Sequence, residues 1–160
     1  MMEILACSEE HIPEAVELWK EYMVDQGDDP LSRYFDFEAS TEGFHRILEG
    51  YMKKEPDGFL VATSGDEVVG FVVSFKDAFG PNYVMKARVG HIQVVHTKRG
   101  HRRKGVATRL MEAALDYLRE NGCTLVLAEI GEGNANSVGM LRKLGFKERD
   151  KIVNLMKEIR

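Results

Sequence analysis

Residues 94–110 read VVHTKRGHRRKGVATRL and join a β-rich run to a helical run through a basic turn that contains glycine. Upstream, residues 89–95 are rich in β-branched side chains and have no helical period, which favours a strand. Downstream, apolar residues recur at the spacing of one buried helical face, at Ala107, Leu110, Met111, Ala114, Leu115 and Leu118. Asn121-Gly122 is typical of a helix end. The stretch therefore predicts a strand, a turn and a helix in direct succession.

The predicted turn has the chemistry of an anion site. The first turn of a helix has unpaired backbone N–H groups and the positive end of the helix dipole. Gly105 lets a bulky anion approach the backbone, where a Cβ would intrude. Cationic side chains for phosphate oxygens surround it, at Lys98, Arg99, Arg102, Arg103 and Lys104. We expect this turn to hold a phosphate group.

Other phosphate motifs and nucleic-acid binding are the alternatives for this turn. A Walker A loop needs Lys-Ser/Thr after its second glycine, and Val106-Ala107 stands there instead. The three glycines of a dinucleotide-binding fingerprint are not in the sequence. A run of lysine and arginine is also typical of nucleic-acid or nuclear-import patches, so that alternative stays open. Residues 98–109 carry six basic and no acidic side chains in a chain of net charge −4, so the rest sums to −10, which favours a small polyanion over a long duplex.

Length and composition indicate one ordinary soluble domain over residues 1–160. The 160 residues are 44% hydrophobic and 30% charged, which is enough to bury a core. The sequence has neither an apolar run long enough to span a bilayer nor a basic signal peptide at residues 1–5, so we expect a cytoplasmic protein. Cys7 and Cys123 lack metal-ligand spacing and the five histidines are scattered, so we expect reduced thiols and no metal.

The remaining patterns complete a predicted order of β-α-α-β-β-β-α-β-α-β. A first strand precedes a helix that Ser8 can cap and that ends near Gln26-Gly27. A second helix over residues 38–53 directs four side chains inward, those of Phe44, Ile47, Leu48 and Tyr51. Strands are predicted over residues 59–63, 68–75, 83–95, 124–130 and 151–157, and the turn at residues 64–67 makes the first two a hairpin. A short helix is predicted over residues 134–144.

Two segments, placed in this order of elements, resemble the signatures of the GNAT superfamily of acyl-CoA-dependent N-acyltransferases. Arg102-x-x-Gly105-x-Ala107 is similar to the family's [Q/R]-x-x-G-x-[G/A] loop, and residues 134–146 are similar to its N-x-x-A-x-x-L-Y-x-K-L-G-F segment. The resemblance covers essentially the whole chain. It implies an α+β (three-layer α/β) fold, with a mixed, mostly antiparallel central sheet, splayed central strands and helices on both faces.

The resemblance also implies a binding site for acetyl-CoA. In the family, backbone groups of the bulged central strand pair with the pantetheine arm, and this role falls here to Val94 and Val95. The pyrophosphate is expected to bind the loop and the start of the helix, at Arg102, Arg103, Lys104, Gly105, Val106, Ala107 and Thr108. Asn134 is expected near the pantetheine arm, although capping the following helix is an equally good reason for an asparagine there. The loop is two residues longer than is usual, which leaves open which cations contact phosphate.

The catalytic candidates are His91, Glu129 and Ser137. Histidine suits proton removal near neutrality, and His91 lies near the expected bulge, although a histidine that only packs or faces solvent is the alternative. Glu129 on the neighbouring strand can act through a water chain. Ser137 is either a proton donor or a small residue packed against acetyl-CoA. Leu141 stands where the family commonly has a tyrosine as general acid, and leucine cannot donate a proton.

The resemblance predicts an N-acetyltransferase that moves the acetyl group of acetyl-CoA to a primary amine by direct attack. Acidic and aromatic residues between Asp25 and Glu38 suit a small cationic amine or a peptide or protein amine, and a solvated acidic loop is the alternative. A non-catalytic acyl-CoA-binding regulatory module is the competing function, because no acid–base pair is evident. Nucleic acid and membrane are not expected partners, and a homodimer is left open.

Overall fold

The computed structural model of the protein describes residues 1–25, 29–54, 58–80, 83–130 and 134–159. Contacts between residues divide the chain into two compact units, Met1–Glu129 and Ile130–Arg160. A single domain over residues 1–160 stays a prediction.

Unit 1 contains a five-stranded sheet with the strand order β1-β2-β3-β4-β5. The strands are β1 Met2–Ala6, β2 Phe59–Ser64, β3 Glu67–Phe75, β4 Val89–Thr97 and β5 Leu125–Ala128. The first four pair antiparallel, and β5 pairs parallel with β4. The helices of this unit are α1 Ile12–Asp25, α2 Phe37–Lys54 and α3 Val106–Glu120. This mixed, mostly antiparallel sheet confirms the predicted fold class.

Helices cover both faces of the sheet. Phe71 of β3 belongs to a core cluster with buried side chains of α1 and α2. The preceding residue, Gly70, faces the other way, because successive strand residues alternate between faces. A Cβ at Gly70 would lie 3.0 Å from Val106 Cγ1 and 3.1 Å from Leu110 Cδ1, both on α3. Glycine at this position therefore lets α3 lie close to the sheet.

The helical stripe predicted for α3 is largely confirmed. Buried residues recur at its helical spacing, at Val106, Leu110, Met111, Ala114 and Leu118, whereas Ala107 and Leu115 are half-buried at its margins. Asn121 ends the helix and Gly122 has a φ of 83°, in the left-handed region that favours glycine. None of the helices in the described ranges combines the length and the apolarity needed to cross a bilayer.

Two details of unit 1 differ from the sequence prediction. β4 begins at Val89 rather than Tyr83. Arg88, directly before the strand, binds Asp77 and the Asn121 carbonyl oxygen through its side chain. The predicted inward direction of Ile47 is wrong, since this side chain is 58% exposed. The buried stripe of α2 runs through Phe44 and Leu48, and Ile47 lies about 100° around the helix from Leu48. The predicted helix end at Gln26-Gly27 and the Tyr51 side chain lie outside the described residues.

Unit 2 contains the helix α4, Ala135–Lys143, in its described part. Asn134 is the N-cap, and its side chain accepts the Ser137 N–H at 3.2 Å, which confirms the capping role. The predicted strand over residues 151–157 is wrong, and there Val153 is 78% and Leu155 90% exposed. A strand needs a neighbour to satisfy its backbone groups, and within residues 134–159 unit 2 has no other strand to supply one.

Candidate functional site

β4 contains a bulge in the middle of the sheet. Val94 pairs with Val73 of β3, but the next pair toward the start of β4 joins Ile92 to Ser74. Gln93 therefore has no residue opposite it. A bulge of this kind bends its strand and interrupts the regular ladder.

The pairing of β4 with β5 ends at the bulge. Their parallel register runs from Val89 opposite Leu125 to Ile92 opposite Ala128. Among the described residues, positions 94–97 of β4 pair with β3 alone. Along this segment, no described strand pairs with the other edge of β4, the open edge.

The alternation of hydrogen bonds determines which backbone groups face the open edge. The Lys98 N–H donates to the Val69 carbonyl oxygen at 2.9 Å and continues the register between β3 and β4. In an antiparallel ladder, residues bonded to the neighbour alternate with residues whose N–H and C=O groups point away from it. The backbone of Val94 therefore faces β3, whereas that of Val95 faces the open edge.

The turn after β4 reaches α3 through two residues in the left-handed region. Arg103 has a φ of 61°, and Gly105, the N-cap of α3, has a φ of 78°. Gly105 has no side chain to cap the helix, so the N–H groups of residues 106–108 have no partner within it. A Cβ at Gly105 would meet no atom within 4 Å. Open space beside unpaired donors has the chemistry of an anion site.

Three of the five predicted phosphate cations bind acidic side chains of unit 1. Lys98 forms an ion pair with Glu67. Asp25, the last residue of α1, binds Arg99 through Oδ1 and Arg102 through Oδ2, each at 2.5 Å. Burial raises the pKa of the Asp25 carboxyl, but its bonds to these two guanidinium groups outweigh burial and lower it. These pairs neutralise much of the positive charge of the turn.

The remaining two cations are directed to solvent. Arg103 is exposed and forms no ion pair with any described residue, and the exposed Lys104 donates from Nζ to the Gly100 carbonyl oxygen at 3.1 Å. Arg102 is fastened to the protein a second time, since its Nε donates to the Thr97 carbonyl oxygen at 3.2 Å. Of the cations in this turn, Arg103 and Lys104 are thus the ones best placed to meet phosphate oxygens.

Glu21 of α1 joins the helix, β4 and the turn. Its Oε1 lies 3.0 Å from Nε2 of His96, which is 6% exposed, and also accepts the Arg99 N–H at 2.9 Å. Burial lowers the pKa of His96, and the hydrogen bond to Glu21 opposes that shift without cancelling it. This group was not predicted from the sequence. Its one signal was the spacing of Glu21 and Asp25, which places both carboxylates on the same face of α1.

Glu21, Asp25 and His96 are residue types that also bind metal ions. Ligand atoms of Glu21, Asp25 and His96 lie within 4.8 Å of one another. The two carboxylates, however, contact the guanidinium groups of Arg99 and Arg102. Those positive charges repel a cation, so the group fits an internal ion-pair network better than a metal site.

Two catalytic candidates lie near the end of the pairing between β4 and β5. His91 is half-buried on β4 and pairs with Leu127 of β5. Glu129 is exposed and follows Ala128, the β5 residue that pairs with Ile92. The third candidate, Ser137, belongs to α4 in unit 2, where Leu141 is buried.

The segment between α1 and α2, together with the first residue of α2, exposes apolar and aromatic side chains. These are Leu31, Tyr34, Phe35 and Phe37. The acidic side chains beside them have local roles, since Asp29 accepts the Leu31 N–H at 2.8 Å and Asp36 accepts the Ala39 N–H at 2.9 Å. Asp28 lies outside the described residues. Arg33 lies over the Tyr34 ring, 4.9 Å from its centroid, so a cation already stacks on an aromatic face here.

Comparison with known proteins relates this geometry to a family. The family model described as Acetyltransferase (GNAT) family matches residues 12–146. An L-methionine sulfoximine/L-methionine sulfone acetyltransferase of Pseudomonas paraeruginosa is 30% identical over 145 residues, which cover 90% of this chain and 73% of that protein. An uncharacterized N-acetyltransferase of Methanocaldococcus jannaschii is 26% identical over 109 residues, which cover 68% of this chain and 47% of that protein. The chain spans about half the length of the first curated relatives that it matches.

A solved structure shows the same fold. Aminoglycoside N-acetyltransferase AAC(6')-Iy in complex with CoA has a TM-score of 0.72 and 16% sequence identity. The match covers 99% of this chain and 96% of that chain.

Proposed function

Since the chain belongs to the acetyltransferase (GNAT) family, we propose that it transfers an acetyl group from acetyl-CoA to a primary amine. One observation carries the proposal: the open edge of β4, which Val95 faces, is followed by an α3 N-terminus whose first N–H groups have no internal partner. These two features suit two different parts of acetyl-CoA, the amides of its pantetheine arm and its phosphates.

Backbone groups do most of the proposed binding. Val95 offers its N–H and C=O to the pantetheine amides, in the way that an extended ligand adds to an open sheet edge. Val94, whose backbone faces β3, contributes packing instead. The N–H groups of residues 106–108 face the pyrophosphate, and Arg103 and Lys104 add charge. The side chain of Arg102 holds the turn in place rather than the ligand.

The proposed reaction needs one proton removed and one supplied. A C–N bond forms and the C–S bond breaks, so the amine loses a proton and the departing thiolate gains one. His91 and Glu129 are the proposed bases, acting directly or through a water chain. Ser137 is the candidate donor, because Leu141 cannot donate. The N–H of Val95 is the donor proposed to stabilise negative charge on the thioester oxygen.

The proposed acceptor is a primary amine that carries a further positive charge, on a small molecule or on a peptide. The exposed rings of Phe35 and Phe37 can stack on a cation, as Tyr34 does on Arg33. A carboxylate in contact with the reacting amine would raise its pKa and keep it protonated. The acids of this segment therefore act on the distal charge of the acceptor.

A non-catalytic acyl-CoA-binding module is the second candidate. It is favoured by Leu141, which removes the general acid that the family commonly uses. Both candidates need CoA to bind at β4 and α3, and they differ in turnover alone.

Release of free thiol from acetyl-CoA tests the two candidates against each other, with polyamines, aminoglycosides, methionine sulfone and basic peptides as acceptors. The protein's own thiols interfere little, because burial raises the pKa of Cys7 to about 12 and also raises that of Cys123. Sustained turnover with any amine excludes the binding module. Binding of CoA without turnover supports the module, and calorimetry without binding at near-millimolar CoA contradicts both candidates.

A further inference from the structure

The end of α1 is bonded to the turn that precedes α3. Glu21 and Asp25 lie one helical turn apart on α1 and face the same side. Glu21 accepts the backbone N–H of Arg99 at 2.9 Å, and Asp25 binds the side chains of Arg99 and Arg102, each at 2.5 Å. The two carboxylates thus bind both backbone and side chains of the turn.

The bonded residues lie next to the strained part of the turn. Arg103 is the one non-glycine residue with a positive φ among the described residues, and such a conformation persists only when its surroundings enforce it. Arg102, directly before it, is fixed at two points, by Asp25 and by the Thr97 carbonyl oxygen. Fixing Arg102 therefore fixes the direction in which the chain enters Arg103 and then the N-cap Gly105.

We infer that Glu21 and Asp25 are positioning residues for the phosphate-binding turn. They hold the backbone from Arg99 to Gly105 in the conformation that directs the first N–H groups of α3 to the phosphates of acetyl-CoA. The inference rests on the proposed function, because it concerns the same site. It adds that α1, which the sequence connects to the acceptor-side segment, builds the cofactor side of the site.

Simple electrostatics predicts the opposite effect of these two acids. A carboxylate close to a site for a polyanion repels the ligand, and it also competes with phosphate for Arg99 and Arg102. If Asp25 acted chiefly in this way, its neutralisation would strengthen CoA binding. If Asp25 positions the turn, its neutralisation weakens CoA binding. The sign of the change therefore distinguishes the two roles.

The experiment is calorimetric titration of CoA into wild-type protein and variants at one fixed ionic strength. We expect Asp25→Asn to raise the Kd about tenfold, the scale of a lost hydrogen-bonded charge pair. Asp25→Glu, which restores the carboxylate, should recover most of the affinity. Glu21→Gln keeps an acceptor oxygen for the Arg99 N–H and should lose less. Glu17→Gln is the control, since it removes the same charge from the same helix at an exposed residue paired with Lys20.

Amide hydrogen exchange without ligand provides a second measurement that does not depend on CoA. We expect Asp25→Asn to speed exchange over residues 99–108 while leaving β2 and β3 at wild-type rates, whereas general destabilisation would speed all of them.

Unchanged or tighter CoA binding by Asp25→Asn, with wild-type exchange over residues 99–108, overturns the inference alone. A wild-type protein that does not bind CoA overturns the proposed function and the inference with it.

Discussion

The Lys98 N–H donates to the Val69 carbonyl oxygen at 2.9 Å, and this bond shows which residues of β4 direct their backbone groups toward β3. Because ladder positions alternate, Val95 faces the edge that β5 leaves open. The register beyond the bulge is therefore essential, since a shift of one residue would turn Val95 toward β3. Gln93, the residue without a partner opposite, marks the point where this register begins.

A negative charge placed at Gly105 should weaken the binding of CoA. Asparagine and aspartate have nearly the same size, and both tolerate the left-handed region better than other residues do. A Cβ here meets no atom within 4 Å, and the positive φ strains both substitutions alike, so the comparison isolates the charge. We expect Gly105→Asp to bind CoA at least tenfold more weakly than Gly105→Asn, because its charge repels the phosphates, on the order of 1.4 kcal/mol or more. Calorimetry measures the difference, and equal affinities of the two variants would place the phosphates elsewhere.

A side chain at Gly70 should disturb the contact between the sheet and α3. An added Cβ would lie 3.0 Å from Val106 Cγ1 and 3.1 Å from Leu110 Cδ1 on α3. It would also lie 2.8 Å from the His96 carbonyl oxygen of β4, and backbone cannot move aside as a flexible side chain can. We expect Gly70→Ala to lower the free energy of unfolding by about 1–3 kcal/mol, the range for overpacking. Gly43→Ala is the control, because this helix position has nothing within 4 Å, and there the free energy of unfolding should rise by about 0.5–1 kcal/mol. Urea unfolding checks both, and a neutral Gly70→Ala would contradict the close approach of α3.

Local features of the fold could be predicted from the sequence because neighbours in the chain determine them. Periodicity predicts the buried stripe of α3 and the hairpin of β2 and β3. The conformational freedom of glycine predicts that α3 begins after Gly105 and ends before Gly122. The predicted strand over residues 151–157 is wrong. Its apolar residues favour a strand, but a strand also needs a neighbouring strand to pair with, and local sequence does not show whether one is there.

Acidification should destabilise the protein through His96. The pKa of this histidine is lowered by burial, so near the unfolded value of about 6.5 the unfolded state binds more protons than the folded state. The free energy of unfolding therefore falls as pH drops through about 6.5 toward the folded pKa. His96→Gln keeps an N–H for Glu21 and removes the titration, so its stability should depend less on pH in this window. Urea unfolding at several pH values measures both proteins, and identical slopes would contradict a neutral, buried His96.

The exposed ring of Phe35 should contribute to binding of the acceptor amine and not to binding of CoA. Phe35→Ala removes an exposed ring that can stack on a cation. We expect the KM of a cationic amine to rise about three- to fivefold, the scale of an exposed cation–π contact. Ile47→Ala, which removes an exposed apolar side chain from α2, is the control. Steady-state kinetics checks the prediction, and an unchanged KM would show that this segment does not bind the acceptor.

The charge distribution of the candidate site was the part that sequence could not supply. The five cations of residues 98–104 are adjacent in the chain, so the sequence shows them as one basic patch. Their partners come from far away, since Asp25 and Arg102 are separated by 77 positions. Only the packing of α1 beside the turn brings them together. The bulge of β4, by contrast, was expected from the resemblance to the family, although the local pattern of residues 89–97 does not predict it.

Backbone amide shifts during a CoA titration test the central claim most directly, that acetyl-CoA binds to the backbone of β4 and of the start of α3. In a ¹⁵N-labelled protein, we predict that the largest shifts fall on the N–H of Val95 and on those of residues 103–108. Amides of β1 and β2, which lie on the other side of β3, should change little. Saturable binding with its largest shifts outside β4 and the turn before α3, or no shifts at near-millimolar CoA, would contradict the claim.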